Sequence, residues 1–184
     1  ARSLFLVTVG TGIGSAVIID GRLHRGATGR GAEFGHWKVA DEPPCSCGNS
    51  GCLEMLASGR AMVRQVQEAI SKGQKTSLSG LASISAKQII DEARRGDELA
   101  SRVLAQATRY LGRALGNIIV VLEPQKILIG GGVAEAGEIF FRPVREEIER
   151  TSFPYFNQTE VSCTALGNRA GIIGAAGLAL GKVG

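Results

Sequence analysis

The sequence predicts a single mixed-sheet α/β lobe, on three observations. It opens with three short apolar runs divided by glycine turns, continues with long stretches of helical periodicity, and closes on a strand–helix–strand–helix alternation. Successive short strands form an antiparallel meander, whereas strands separated by helices need parallel crossovers. The expected order is therefore βββα(α)βαβα. At 184 residues, with 44% apolar and 21% charged side chains, the chain is neither disordered nor dependent on disulfides. A chain of this length buries roughly 70% of the surface its unfolded form exposes.

Leu4–Val9 reads as the first strand, Ala16–Asp20 as the second and Arg22–His24 as the third. Gly10-Thr11-Gly12-Ile13-Gly14 and Asp20-Gly21 are the turns between them. Gly26–Gly35 is a glycine-rich loop, and Asp41–Gly51 is a loop with Pro43-Pro44 and three cysteines. From Leu53 the pattern turns helical, with Met62, Val66, Ala69 and Ile70 on one stripe, and Gly73–Ser83 is a polar connection. Ser85-Ala86-Lys87-Gln88 has capping-box spacing and opens a helix that stops near Gly96.

A long helix from Asp97 to Leu122 keeps the i, i+3/i+4 rhythm through Leu99, Val103, Leu104, Ala107, Leu111, Ala114, Leu115 and Ile118, and Pro124 ends it. Lys126–Ile129 is a short buried strand that leaves through Gly130-Gly131-Gly132. Glu138–Arg150 is helical, and Glu160–Ala165 is a strand in which Cys163 is expected to be a buried small hydrophobe. Asn168–Leu180 is a small-residue helix.

Charge and composition exclude several classes. The 21 basic and 17 acidic residues leave only +4, the basic residues are scattered, and aromatics are 5%, so the chain lacks the basic, aromatic-studded platform of a nucleic-acid binder. No apolar run approaches the ~20 residues of a membrane span. A cytoplasmic protein is expected. The chain enters a core strand almost at once without an initiator Met, which suggests a piece of a longer protein.

The sharpest local pattern is Gly35-His36 followed by Cys45-Ser46-Cys47-Gly48-Asn49-Ser50-Gly51-Cys52. Thiolates and a neutral imidazole are zinc's preferred ligands, and His36, Cys45, Cys47 and Cys52 would complete a tetrahedral shell. Such a closed site is structural, with no position for a reacting water. A disulfide is the competing reading; it would strand one thiol and be unusual in a cytosolic protein.

The Gly10–Gly14 turn can aim backbone N–H groups at an anion while the Thr11 hydroxyl donates to a phosphate oxygen, although a tight hairpin would use the same residues. It is not a dinucleotide fingerprint, because a strand follows it. Gly130–Gly132, leaving a buried strand toward a helix, permits close approach of a flat or charged ligand. Glu33 and Glu54 flank the cysteine loop, and carboxylates held beside an imidazole suit the hydroxyls of a sugar. They could equally be solvated loop acids, with Glu54 a helix N-terminal charge.

Glu33-x-Gly35-His36 with Cys45-x-Cys47-Gly48-x-x-Gly51-Cys52-x-Glu54 resembles the signature of the ROK family of repressors, open reading frames and sugar kinases. The resemblance extends over the whole chain, through both glycine turns and the closing Leu166-Gly167-Asn168-Arg169-Ala170-Gly171. It implies an actin-like, ribonuclease H-like ATPase lobe, residues 1–184, carrying a zinc-binding loop at 36–52. It implies zinc on His36, Cys45, Cys47 and Cys52, and sugar contacts from Glu33, His36 and Glu54. It also implies ATP phosphates at Gly10, Thr11 and Gly12, with the nucleoside at Gly131 and Gly132.

Two departures stand out. No Asp-x-Gly-x-Thr turn or Asn-Asp segment precedes Gly10, so the N-terminal lobe with its catalytic base is expected to be absent and the chain to be inactive alone. Arg169 stands where the family often has an acid, and Ser15-Ala16 replaces a glycine pair. The expected parent is an ATP- and Mg-dependent hexose kinase, glucokinase-like. The alternatives are the effector-sensing lobe of a sugar-responsive repressor with an upstream DNA-binding domain, or a zinc-stabilised module that binds no sugar. A dimer is expected, since the long helix and Phe140-Phe141 offer more apolar surface than one small lobe readily covers.

Overall fold

The structure, a computed structural model, describes residues 1–154, 158–167 and 170–180. β1 (Leu4–Val9), β2 (Ile13–Ile19) and β3 (Arg22–Leu23) form the antiparallel meander. β4 (Lys126–Gly130) and β5 (Glu160–Cys163) extend it in parallel, giving a five-stranded sheet of order β3-β2-β1-β4-β5. Phe5 stands beside Ile127 and Val7 beside Ile129, and all four are removed from water, as the two-residue period of paired strands requires.

The helices are α1 (Glu54–Ala57), α2 (Gly59–Ser71), α3 (Ala86–Arg94), α4 (Glu98–Leu122), α5 (Glu138–Thr151) and α6 (Ala170–Ala179), with short 3-10 turns at Phe34–His36 and Ala134–Ala136. The Ser85/Gln88 capping box forms as its spacing predicts. Asp97 caps α4, its carboxylate accepting from Ala100 N–H at 2.8 Å, and the helix ends at Glu123, a left-handed residue ahead of Pro124. The core gathers the inward faces of β1 and β4 with α2, α3, α4 and α5.

The structure departs from the sequence expectations at four places. Strand β2 begins at Ile13, because Ile13 pairs with Val9 and Gly14 with Thr8; only residues 10–12 remain as the turn. The helical stretch after Leu53 is broken at Ser58, which is extended and caps α2 by accepting from Ala61 N–H at 3.1 Å. Cys163 is exposed rather than buried, since it ends β5 on the sheet edge. Phe140 and Phe141 do not form an outer surface: both are buried, their rings edge-to-face at 5.3 Å. The exposed large apolar residues include Ile19, Trp37 and Val121 instead. Asn168 and Arg169 lie outside the described residues. Among the described residues, no helix is long and apolar enough to cross a membrane.

Candidate functional site

The cysteine loop folds back on the Phe34–His36 turn. Bridges at Lys38/Cys52 and Pro44/Ser50 draw its ends together, and Cys45 N–H donates to Asn49 C=O at 2.7 Å. Phe34 anchors the turn from below, its ring edge-on to Phe5 at 5.1 Å and to Trp37 at 6.1 Å. The donor atoms of His36, Cys45, Cys47 and Cys52 consequently lie within 4.8 Å of one another. Cys45 Sγ is 3.7 Å from His36 Nδ1, and Cys47 Sγ is 3.6 Å from Cys52 Sγ. A zinc tetrahedron with Zn–S of about 2.3 Å has edges of about 3.7 Å, so the residues present fit that ion. All four cysteines are free thiols, and 3.6 Å is far from the S–S bond of about 2.05 Å.

Burial, reinforced by hydrogen bonding to Cys47 and Cys45, pushes the Cys52 thiol up to about 12, while a hydrogen bond from Asn49 N–H leads the effects that lower Cys47. A divalent cation would override both shifts, because a coordinating thiol is deprotonated outright.

Glu33, His36 and Glu54 meet the rest of the chain differently. Glu33 is exposed and lines, with His36, a cavity of about 570 Å³ walled by Phe5, Val17, Phe34 and Trp37. Glu54 is half-buried at the start of α1, outside that cavity's lining, and its Oε2 accepts from Ile13 N–H at 2.9 Å. Ser15, of the replaced glycine pair, serves the same region: its hydroxyl donates to Ala32 C=O and accepts from Phe34 N–H.

The two glycine turns converge. Gly10, Thr11 and Gly132 line one cavity of about 840 Å³ with residues of α2, α3 and the 134–136 turn. Gly12 and Gly131 are not among its lining residues. Gly131 has φ of +89°, and a Cβ there would stand 2.4 Å from Val9 C=O, so packing against β1 already demands glycine.

Sequence reading passed over the cavity's charged groups. Arg60, Lys87, Arg94, Asp91 and Glu135 all line it. Lys87 and Arg94 both pair with Asp91, at 2.6 and 2.9 Å, and Arg94 also donates to Ala136 C=O. The Arg60 side chain makes no ion pair or hydrogen bond among the described residues. These residues belong to helices that look ordinary in sequence; only the fold brings them to the turns.

This is the fold of the ROK sugar kinases. A ROK glucokinase from Streptomyces griseus, solved with glucose and AMPPNP, superposes with a TM-score of 0.86 at 34% identity, over 96% of this chain and 60% of that one. The sequence profile of the ROK family matches residues 1–182, and the chain belongs to that family. Among curated relatives, a Thermotoga maritima glucokinase is 39% identical over 184 residues, covering 97% of this chain and 58% of its own length. A xylose repressor from Caldicellulosiruptor bescii is 31% identical over 176 residues, covering 93% and 44%. The chain spans about half the length of the curated relatives it matches.

Proposed function

We propose that this chain is the lobe of a glucokinase-like hexose kinase that holds nucleotide, sugar and a structural zinc ion. The observation that carries the reading is the 840 Å³ cavity, where Gly10 and Thr11 of one turn meet Gly132 of the other beside the unpartnered Arg60. Among the described residues, the Thr11 and Gly12 N–H groups take no protein acceptor, which leaves two donors on the turn for a phosphate. Glu33, His36 and Glu54 would accept from sugar hydroxyls, with His36 also a ligand of the zinc it shares with Cys45, Cys47 and Cys52. Zinc there would fix the 36–52 loop, and with it the imidazole. Two relatives support the pairing of ligands: the T. maritima protein is a glucokinase, and the S. griseus glucokinase was solved with glucose and AMPPNP.

In-line phosphoryl transfer needs a base aligned on the sugar hydroxyl and a second grip on the phosphates. We assign both to the portion of the relatives that this chain does not span. Calorimetry on the chain should therefore show magnesium-ADP and millimolar-range glucose binding, while a coupled assay with magnesium-ATP and glucose shows no ADP formation. Turnover by the chain alone would defeat this division of labour.

The likeness to xylose repressors favours a second reading, an effector-sensing lobe. Sugar binding without any nucleotide binding would select it. Self-association through this lobe would use Ile19, Trp37 and Val121 rather than the buried phenylalanine pair, and sedimentation at high micromolar concentration tests it.

A further inference from the structure

Three motifs that look separate in sequence meet on one residue, Ile13. Its N–H donates to Glu54 Oε2 at 2.9 Å. Its C=O lies against Gly35, where a Cβ would stand 2.2 Å from the carbonyl oxygen. Its neighbour Gly12 faces the same carboxylate: a Cβ on Gly12 would stand 2.2 Å from Glu54 Oε2. The other end of the turn is tied to the same segment, since Gly59 N–H donates to Gly10 C=O at 2.7 Å. The turn expected to meet phosphates is thus held by the acid expected to meet sugar, and it closes on the Glu33–His36 turn as well.

We propose that Glu54 is a positioning residue that couples the two ligand sites. One carboxylate oxygen fixes the nucleotide turn through Ile13 N–H, leaving the other to accept from a sugar hydroxyl. Gly12 is glycine because the Glu54 carboxylate occupies the space of its side chain. A sugar hydroxyl on the second oxygen holds Glu54 in the position that bonds Ile13, so sugar favours the same arrangement of the turn that nucleotide binds and each ligand improves the other's affinity. This rests on the functional reading above.

Gly12→Ala isolates the idea. Gly12 carries no left-handed φ, and the atom its Cβ would meet is the far end of a flexible side chain, so the fold survives while Glu54 is driven off Ile13. The amide spectrum of the 15N-labelled chain gives the readout, with glucose and magnesium-ADP titrated singly and together. In the wild type, Ile13 N–H should be protected from exchange, and each ligand should tighten the other by about fivefold. Gly12→Ala should retain the wild-type fold by its other amide shifts, lose Ile13 protection and weaken glucose about tenfold, as loss of a hydrogen bond to a charged group implies. The mutual tightening should vanish. Glu54→Gln, whose amide oxygen still accepts, should keep the Ile13 protection.

Unchanged Ile13 exchange in Gly12→Ala, or a loss confined to ADP, would overturn the proposal and return Gly12 to a simple phosphate-approach role. A wild-type chain that binds neither ligand overturns the functional reading and the coupling with it. Ile13 exchange, read without ligand, still decides whether Glu54 fixes the turn.

Discussion

Removing one thiol, Cys47→Ala, tests the proposed metal centre with the least collateral damage. Cys47 is exposed, whereas Cys52 is fully buried and its truncation would add a cavity penalty. The magnitude follows from the loop that the ion closes. His36 and Cys52 are 16 positions apart, and a cross-link over a loop of about that length is worth about 3 kcal/mol in the chain-entropy account. For a domain of this size each kcal/mol moves the melting temperature by about 2–4 °C, so losing the ion should lower it by about 6–12 °C. Protein purified without added metal should carry one zinc per chain by elemental analysis. Its melt should fall by that amount with a chelator, and Cys47→Ala should melt near the chelated wild type. Thiol titration adds a second readout: the exposed Cys163 reacts in every sample, while the exposed Cys47 becomes reactive only after chelation. A metal-free wild type whose melt and thiol count ignore the chelator would refute the reasoning.

Arg60→Ala should weaken ADP about tenfold while leaving adenosine within about twofold, because only the phosphates of ADP offer the guanidinium an opposite full charge to pair with. Equal losses for both ligands in calorimetry would place Arg60 against the nucleoside instead. Asp97 ties the Thr76–Ser77 loop to the start of α4: burial raises its pKa, but bonds from Ala100 and Ser77 N–H and from the Thr76 and Ser77 hydroxyls outweigh this and bring it from 3.8 down to about 2. A depressed carboxylate pKa stabilises the fold above pH ~4, and that stabilisation is lost as pH falls toward ~2. Asp97→Ala should cost about 1–2 kcal/mol at neutral pH. The variant's denaturation midpoint should converge on the wild type's as pH drops through this window, and a constant gap would count against it.

Much of the fold was legible because its determinants are local. Ser85 and Gln88 announce their capping box three residues apart, and α4 repeats its apolar rhythm until Pro124 forbids continuation. The relative directions of the strands followed from which are joined by turns and which by helices. What escaped was decided over distance. Periodicity runs unbroken through Ser58, yet the chain kinks there, and Gly59 N–H answers Gly10 C=O nearly fifty residues upstream. Adjacent phenylalanines looked like surplus surface because neighbouring helical positions seldom share a buried face. Here both Phe140 and Phe141 are buried all the same, their rings edge-to-face.

The candidate site divides in the same way. The cysteine cluster is a short-range device, so spacing and ligand chemistry suffice to propose it, and the loop's bridges then bring the four donors together. The glycines are different in kind. A glycine in sequence says that something comes close, without saying whether it is ligand or chain. Gly131 admits the β1 backbone, Gly35 admits Ile13 C=O and Gly12 admits the Glu54 carboxylate, whereas Gly132 has open space where a Cβ would be and lines the cavity. Gly12 and Gly131 are therefore also joints between motifs, whatever ligand their backbone meets. That is the physical ground for expecting the proposed sugar and nucleotide sites to respond as one: a turn held by Gly59 at Gly10 and by Glu54 at Ile13 has little freedom to move unless α1 and α2 move with it.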